Sequence, residues 1–153
     1  MRGASCEAMA SPRNRVAKAL IRVEGLGVPA LLFSSKNAKG TPKHRKLELL
    51  GGGIEEEDPL EGLARELQEE EKQGVLAREL LASHPEPRTV VAGGAEHYIF
   101  ELTIRLDDYL DLRPNHKESL GFKLVPEAAL GDPHFQARLT PKTKEILTQL
   151  RMI

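Results

Sequence analysis

The chain has 153 residues, enough for one domain that buries roughly two-thirds of its unfolded surface. Its net charge of −1 gives no global basic field for nucleic acid, and no apolar run approaches the ~18 residues of a membrane span. A single cysteine, Cys6, excludes an internal disulfide and suits a reducing compartment, most simply the cytoplasm.

Residues 1–13 are small, polar and aperiodic, and are expected to form a disordered N-terminal segment; one domain is expected over 14–153. Residues 16–24 (VAKALIRVE) alternate apolar with polar or small side chains, which predicts a strand. Gly25, Leu26 and Gly27 turn the chain into a second, more buried strand at 29–34, giving a hairpin. Residues 36–46 (KNAKGTPKHRK) hold five lysines or arginines in a loop. Two readings of it stand: a solvated turn, or a flap that supplies counter-charge to an anionic substrate. Lys43, Arg45 and Lys46 lie nearest the next strand and are the candidates for such contacts.

That strand, 47–50, runs into Gly51, Gly52 and Gly53, a loop where the backbone can take positive φ and approach a ligand closely. Asp58 then offers an N-cap, Pro59 a first helical residue and Glu61 the return partner of a capping box. Leu60, Leu63, Ala64 and Leu67 recur at three and four and form the stripe that faces the core. At about 100° per residue, Glu66, Glu69 and Glu70 share one arc of roughly 100°. Like charges at i and i+4 destabilise a bare helix. Such an arc is accounted for by a hard divalent cation against it.

Residues 75–83 are ambiguous: composition favours helix. Pro85 and Pro87 end this segment. Residues 88–92 and 96–105 predict two strands joined by a turn at Gly93 and Gly94. Residues 107–115 predict a polar loop, 122–125 a short strand, 126–130 one helical turn, and Thr140 and Pro141 the start of a final helix. His97 has no second histidine or cysteine at ligand spacing and is expected to be a sheet or loop residue.

The stretch from Gly51 to Val75 resembles the signature of the Nudix hydrolases: Gly, five residues, Glu, seven residues, Arg-Glu-aliphatic-any-Glu-Glu. Gly51, Glu57, Arg65, Glu66, Leu67, Glu69 and Glu70 meet it in register, a coincidence of about 10⁻⁵ or less from average residue usage. Two departures stand out. The closing glycine, Gly74, comes two residues late, so Glu71, Lys72 and Gln73 are expected to extend the helix. The glycine loop is one residue short, which leaves open whether the Gly51 or the Gly52 carbonyl would face a metal.

The resemblance implies an α/β fold, a Nudix-like α/β/α sandwich with a mixed sheet between helices. It implies hydrolysis of a diphosphate linkage in a nucleoside diphosphate joined to another moiety, or in a nucleoside triphosphate, with Mg²⁺ or Mn²⁺ as cofactor. Glu66, Glu69, Glu70 and Gly51 would be metal ligands. Glu69, Glu66 and Arg65 would be catalytic, with Glu118 as an acid brought from outside the box. Glu57 would stand at the loop end beside Arg65, at the substrate side. The expected partner is a small nucleotide-type molecule, with room for a homodimer and no membrane.

Alternatives are an RNA 5′-end pyrophosphohydrolase and a non-catalytic Nudix-fold binding module. RNA would want a broad basic patch and aromatic platforms. The chain has two tyrosines, four phenylalanines and no tryptophan. Of these, Phe33, Tyr98, Phe100 and Phe122 are the candidates for stacking on a base, with the core as their ordinary place.

Overall fold

The computed structural model describes residues 14–153; the segment 1–13, with Cys6, lies outside the described residues. Strand β1 (Asn14–Glu24) is the axis of the sheet. One of its edges runs parallel to strand Ala95–Arg105 along its whole length, from Asn14 opposite Ala95 to Glu24 opposite Arg105. Its other edge is shared by two antiparallel strands. Leu50–Ile54 takes the first half, with Ala17 opposite Gly52, and β2 (Ala30–Lys36) takes the second, with Ile21 opposite Leu32. The expected hairpin of the first two strands is therefore present, but the two strands diverge beyond it.

In chain order the strands after β2 are β3 (Leu47–Glu48), β4 (Leu50–Ile54), β5 (Arg88–Ala92), β6 (Ala95–Arg105) and β7 (Ser119–Pro126). β5 extends the sheet beyond β6, and β7 and β3 flank β2. The result is a mixed seven-stranded sheet.

Alternation along β1 sorts the core into two layers. Ala17, Ala19, Ile21 and Val23 face the helices α1 (Pro59–Glu70) and α2 (Val75–Ser83), joined there by Leu63, Leu67 and Leu76. Leu20 faces the other side, with Phe33, Ile99, Ile146 and Leu147. The last two belong to a C-terminal helix, Pro141–Gln149. Helices thus cover both faces of a mixed sheet, the α/β/α sandwich expected from the resemblance.

The predicted stripe Leu60, Leu63, Ala64 and Leu67 is buried. Asp58 caps α1 through Leu60 N–H and Glu61 N–H, at 3.1 and 3.3 Å. The return bond from Asp58 N–H to Glu61 does not form among the described residues.

Several expectations are corrected. Gly51, Gly52 and Gly53 are not a loop; they are the middle of β4, paired to β1. Gly51 holds φ +128°, and a Cβ there would overlap the Ala17 carbonyl oxygen. A strand can lie this close to β1 at that point only without a side chain.

Glu71, Lys72 and Gln73 do not extend the helix. α1 stops at Glu70, and Glu71 is extended, with φ −131° and ψ 119°. Its carboxylate, 1% exposed, accepts N–H bonds from Gln73, Val75 and Arg113 at 2.7, 2.9 and 3.0 Å. Those three donors outweigh another helical turn. Gly74 then takes a left-handed conformation and starts α2, which settles 75–83 as helix.

The polar loop at 107–115 is partly a short helix, α3 (Leu106–Asp111), and β7 is longer than the predicted 122–125. A 3-10 turn follows at Glu127–Gly131, and a short helix not anticipated, α4 (Pro133–Gln136), is capped by Asp132. The final helix, α5, is the one at Pro141–Gln149, with Thr140 as its cap.

Candidate active site

Where the edge of β1 passes from β4 to β2, helix α1 brings its acidic arc against the glycine strand. Glu70 is 5% exposed. Its Oε1 accepts Gly51 N–H at 2.6 Å. Burial pushes its carboxyl up to about 8; Lys18 and the Gly51 bond work against that rise, and Glu48 and Glu66 add to it. Glu66 is also raised, first by burial and then by the neighbouring charge of Glu69. Its Oε1 lies directly over Gly52, where a Cβ would overlap it.

Arg65 gathers the remaining carboxylates. Its guanidinium donates to Glu66 at 2.7 Å, to Glu69 at 3.0 Å and to Glu57 at 2.8 Å. The hydrogen bond that Arg65 donates to Glu57 contributes most to raising the Arg65 pKa, and in return Arg65 holds the Glu57 carboxyl below its usual range. Glu57 thus meets Arg65, as its place at the loop end suggested, and its carboxylate points to the guanidinium.

The oxygens gathered here suit a hard divalent ion: carboxylates and main-chain carbonyls, with no sulfur among them. A cationic head already rests on two of those carbonyls. Lys18 Nζ donates to Leu49 O at 3.3 Å and to Gly51 O at 3.4 Å. Yet no group of three or more acidic, histidine or cysteine side chains converges among the described residues. Glu66 and Glu69 turn to Arg65 instead, and Glu70 to Gly51 N–H. The chemistry of the donors therefore suits a divalent cation, while their side chains are held by Arg65 and Gly51 N–H.

The basic loop divides. Lys43 lines a cavity of about 380 Å³ on the α5 side of the sheet and a neighbouring one of about 480 Å³; Lys46 lines the second and donates to Ala137 O at 2.6 Å. Arg45 is exposed, holds φ +69° and lines neither. Glu118 is exposed, in a loop tied to the end of α1 by Asn115, which bonds Glu70 O and Glu69 O, each at 2.8 Å. Glu48 on β3 was missed by the sequence reading. It is close enough to raise Glu70 and pairs with Lys36 at 3.4 Å. It falls outside the box, and strand pairing alone carries it there.

His97 is a buried sheet residue, with Nδ1 3.2 Å from Ala95 O, and burial lowers its pKa. Phe33 and Phe100 are in the core, and Tyr98 and Phe122 pack against the α1 side. No helix among the described residues is long and apolar enough to cross a membrane.

No protein-family model matches the chain, and no curated protein matches it. Solved structures do. The Nudix hydrolase RenU of M. smegmatis is 22% identical, over 91% of this chain and 84% of that one, with a TM-score of 0.60. The MutT protein of Methanosarcina mazei Go1 is 20% identical, over 94% and 96%, with a TM-score of 0.56. A bifunctional NMN adenylyltransferase/ADP ribose pyrophosphatase of Francisella tularensis is 17% identical over 98% of this chain but 44% of that one, with a TM-score of 0.61. The fold is therefore the Nudix fold, as the box in the sequence led one to expect.

Proposed function

We propose that the chain is a Nudix-type pyrophosphohydrolase that uses Mg²⁺ or Mn²⁺. Its substrate would carry a diphosphate linkage, in a nucleoside diphosphate joined to another moiety or in a nucleoside triphosphate. One observation carries this reading: Glu66 and Glu70 meet the glycine strand at Gly52 and Gly51, while Arg65, paired with Glu57, gathers Glu66 and Glu69 beside them. The ADP ribose pyrophosphatase named above shares the fold and makes a diphosphate-linked substrate reasonable.

Glu66, Glu69, Glu70 and the Gly51 carbonyl would hold the ion. When bound, it would neutralise the diphosphate and lower the pKa of water. The protein's own part is positioning. Gly52 leaves space for the Glu66 carboxylate, Gly51 N–H fixes Glu70, and Arg65 sets the geometry of Glu66 and Glu69 from the loop end at Glu57. Glu118 is proposed as the base that accepts the proton of the attacking water, with Glu48 as its rival. Lys43, Arg45 and Lys46 are proposed to draw the anionic substrate in. A cytoplasmic location is supported by the single cysteine, and a homodimer is compatible with this reading.

The test is a panel of nucleotides and nucleotide sugars with Mg²⁺, reading released phosphate and nucleoside monophosphate. Turnover of at least one, abolished by chelator and by Glu70→Gln, is expected. No turnover across the panel with either metal sinks the reading.

A further inference from the structure

The cavity on the α5 side of the sheet has a composition that the diphosphate chemistry at the box does not require. Four lysines line it: Lys18 from β1, Lys36 from β2, Lys43 from the basic loop and Lys142 from the first turn of α5. One carboxylate, Glu48, lines it too, and it is already paired with Lys36 at 3.4 Å. Lys43 and Lys142 make no salt bridge among the described residues. The cavity's floor includes Gly52 and Gly53, the strand on whose other side Glu66 lies. The second cavity is continuous with it in its walls: both share Lys36, Lys43 and Pro141, and it adds Lys46.

Among the described residues no phenylalanine or tyrosine lines either cavity, and the one ring there, His97 in the first, is 1% exposed and packed into the sheet. The phenylalanines and tyrosines near the sheet are in the core or on the α1 side. A nucleobase would find no face to stack on here, and stacking is what a base-binding groove without base-edge contacts relies on. Four ammonium groups against one carboxylate favour instead a ligand with negative charge along its length.

We propose that this lysine-lined cavity binds a linear chain of phosphates, and that substrates with three or more consecutive phosphates and no base in the cavity are preferred at this site. The scissile bond rests on the hydrolase reading; the binding does not. Phosphates beyond the scissile one extend from Gly52 and Gly53 past Lys18 and Lys36 toward Lys43 and Lys142. In hydrolysis of tripolyphosphate, the oxygen of one water bonds to the terminal phosphorus. The bridging P–O bond breaks, the bridging oxygen leaves with pyrophosphate, and the proton of the water passes through the base to solvent.

The experiment uses the full chain and isothermal titration in chelator, with sodium tripolyphosphate, pyrophosphate and ADP-ribose as probes. Tripolyphosphate is expected to bind at least tenfold more tightly than ADP-ribose, and more weakly as salt rises. The double variant Lys36→Gln/Lys142→Gln should weaken it about tenfold, in line with the loss of two ion pairs. Lys72→Gln, an exposed lysine on the turn after α1, should leave binding unchanged, with circular dichroism confirming that each variant is folded. ADP-ribose binding as well as or better than tripolyphosphate, or Lys72→Gln costing as much as the double variant, overturns the proposal. The two readings fail separately. If Mg²⁺ supports cleavage of ADP-ribose while tripolyphosphate neither binds nor competes, the polyphosphate site is wrong and the hydrolase stands. If nothing is cleaved but tripolyphosphate binds through Lys36 and Lys142, the hydrolase reading falls and the site remains.

Discussion

Glu70 Oε1 accepts the N–H of Gly51 at 2.6 Å from a carboxyl that burial has pushed up to about 8. A raised folded pKa means that the folded protein holds a proton that the unfolded chain, with an ordinary glutamate pKa of 4.5, releases. The stability this contributes is complete below pH 4.5 and is lost as pH rises to 8. At about 1.4 kcal/mol per unit, the loss is on the order of 3–5 kcal/mol. Thermal melts in chelator should fall by about 10 °C across that window for a domain of this size. Glu70→Gln keeps a carbonyl acceptor for Gly51 N–H, so its melting temperature should vary much less over the same window. A wild-type melting temperature that is flat or rising from pH 5 to 8 contradicts this.

Gly51 and Gly52 adjoin but should respond differently to alanine. At Gly51 the new Cβ meets the Ala17 backbone, and φ is +128°, so Gly51→Ala should lose about 2–4 kcal/mol and much of the soluble yield. At Gly52 it meets only the Glu66 side chain, its Oε1 and carboxyl carbon first, the far end of a flexible group. Gly52→Ala should fold with a near-normal melting temperature, yet lose metal affinity and activity because Glu66 is displaced. Urea melts beside Mn²⁺ titrations separate the two; equal destabilisation would refute the distinction.

Arg65 is 42% exposed in its side chain, so its three ion pairs contribute little to stability. Their value lies in orientation. Lys cannot span Glu57, Glu66 and Glu69 with a planar fork. Arg65→Lys should lower kcat by about 10–100-fold with a melting temperature within about 3 °C of wild type. A loss confined to KM would instead make Arg65 a substrate ligand.

Mg²⁺ should raise the melting temperature by mass action, because two raised carboxyls lie where it would bind. The rise should be larger at pH 8 than at pH 6, since fewer protons compete. Glu70→Gln should remove most of it and lower kcat by about 10³. No shift at millimolar Mg²⁺ at either pH would exclude metal binding at the box.

Two further acids outside the box, Glu96 at the start of β6 and Asp107 in α3, are rivals for the base, so Glu118→Gln and Glu48→Gln are assayed at saturating Mg²⁺ beside Glu96→Gln and Asp107→Asn. Glu118→Gln should cost about 10²–10⁴ in kcat with KM nearly constant. Near-wild-type turnover there, with the loss at Glu48, transfers the role to β3.

The local code of α1 determined most of what the sequence could tell. Asp58, Pro59 and the apolar stripe decide where the helix starts and which face is buried, and the spacing of Arg65, Glu66, Glu69 and Glu70 follows from 3.6 residues per turn. These are short-range facts, and the Nudix likeness was legible from them. What lay beyond was decided by distant partners. Gly51, Gly52 and Gly53 look like a loop until β1 offers them a ladder. Glu71 looks helical until Arg113, 42 residues on, donates to it. The unequal roles of the three box acids also required the fold. Burial and a backbone N–H single out Glu70, whereas Glu69 stays half-exposed on Arg65. Glu48 and the lysines of the α5-side cavity come from five separate elements, and only sheet register and the docking of α5 bring them together, because charge proximity there is set by tertiary packing and not by spacing along the chain.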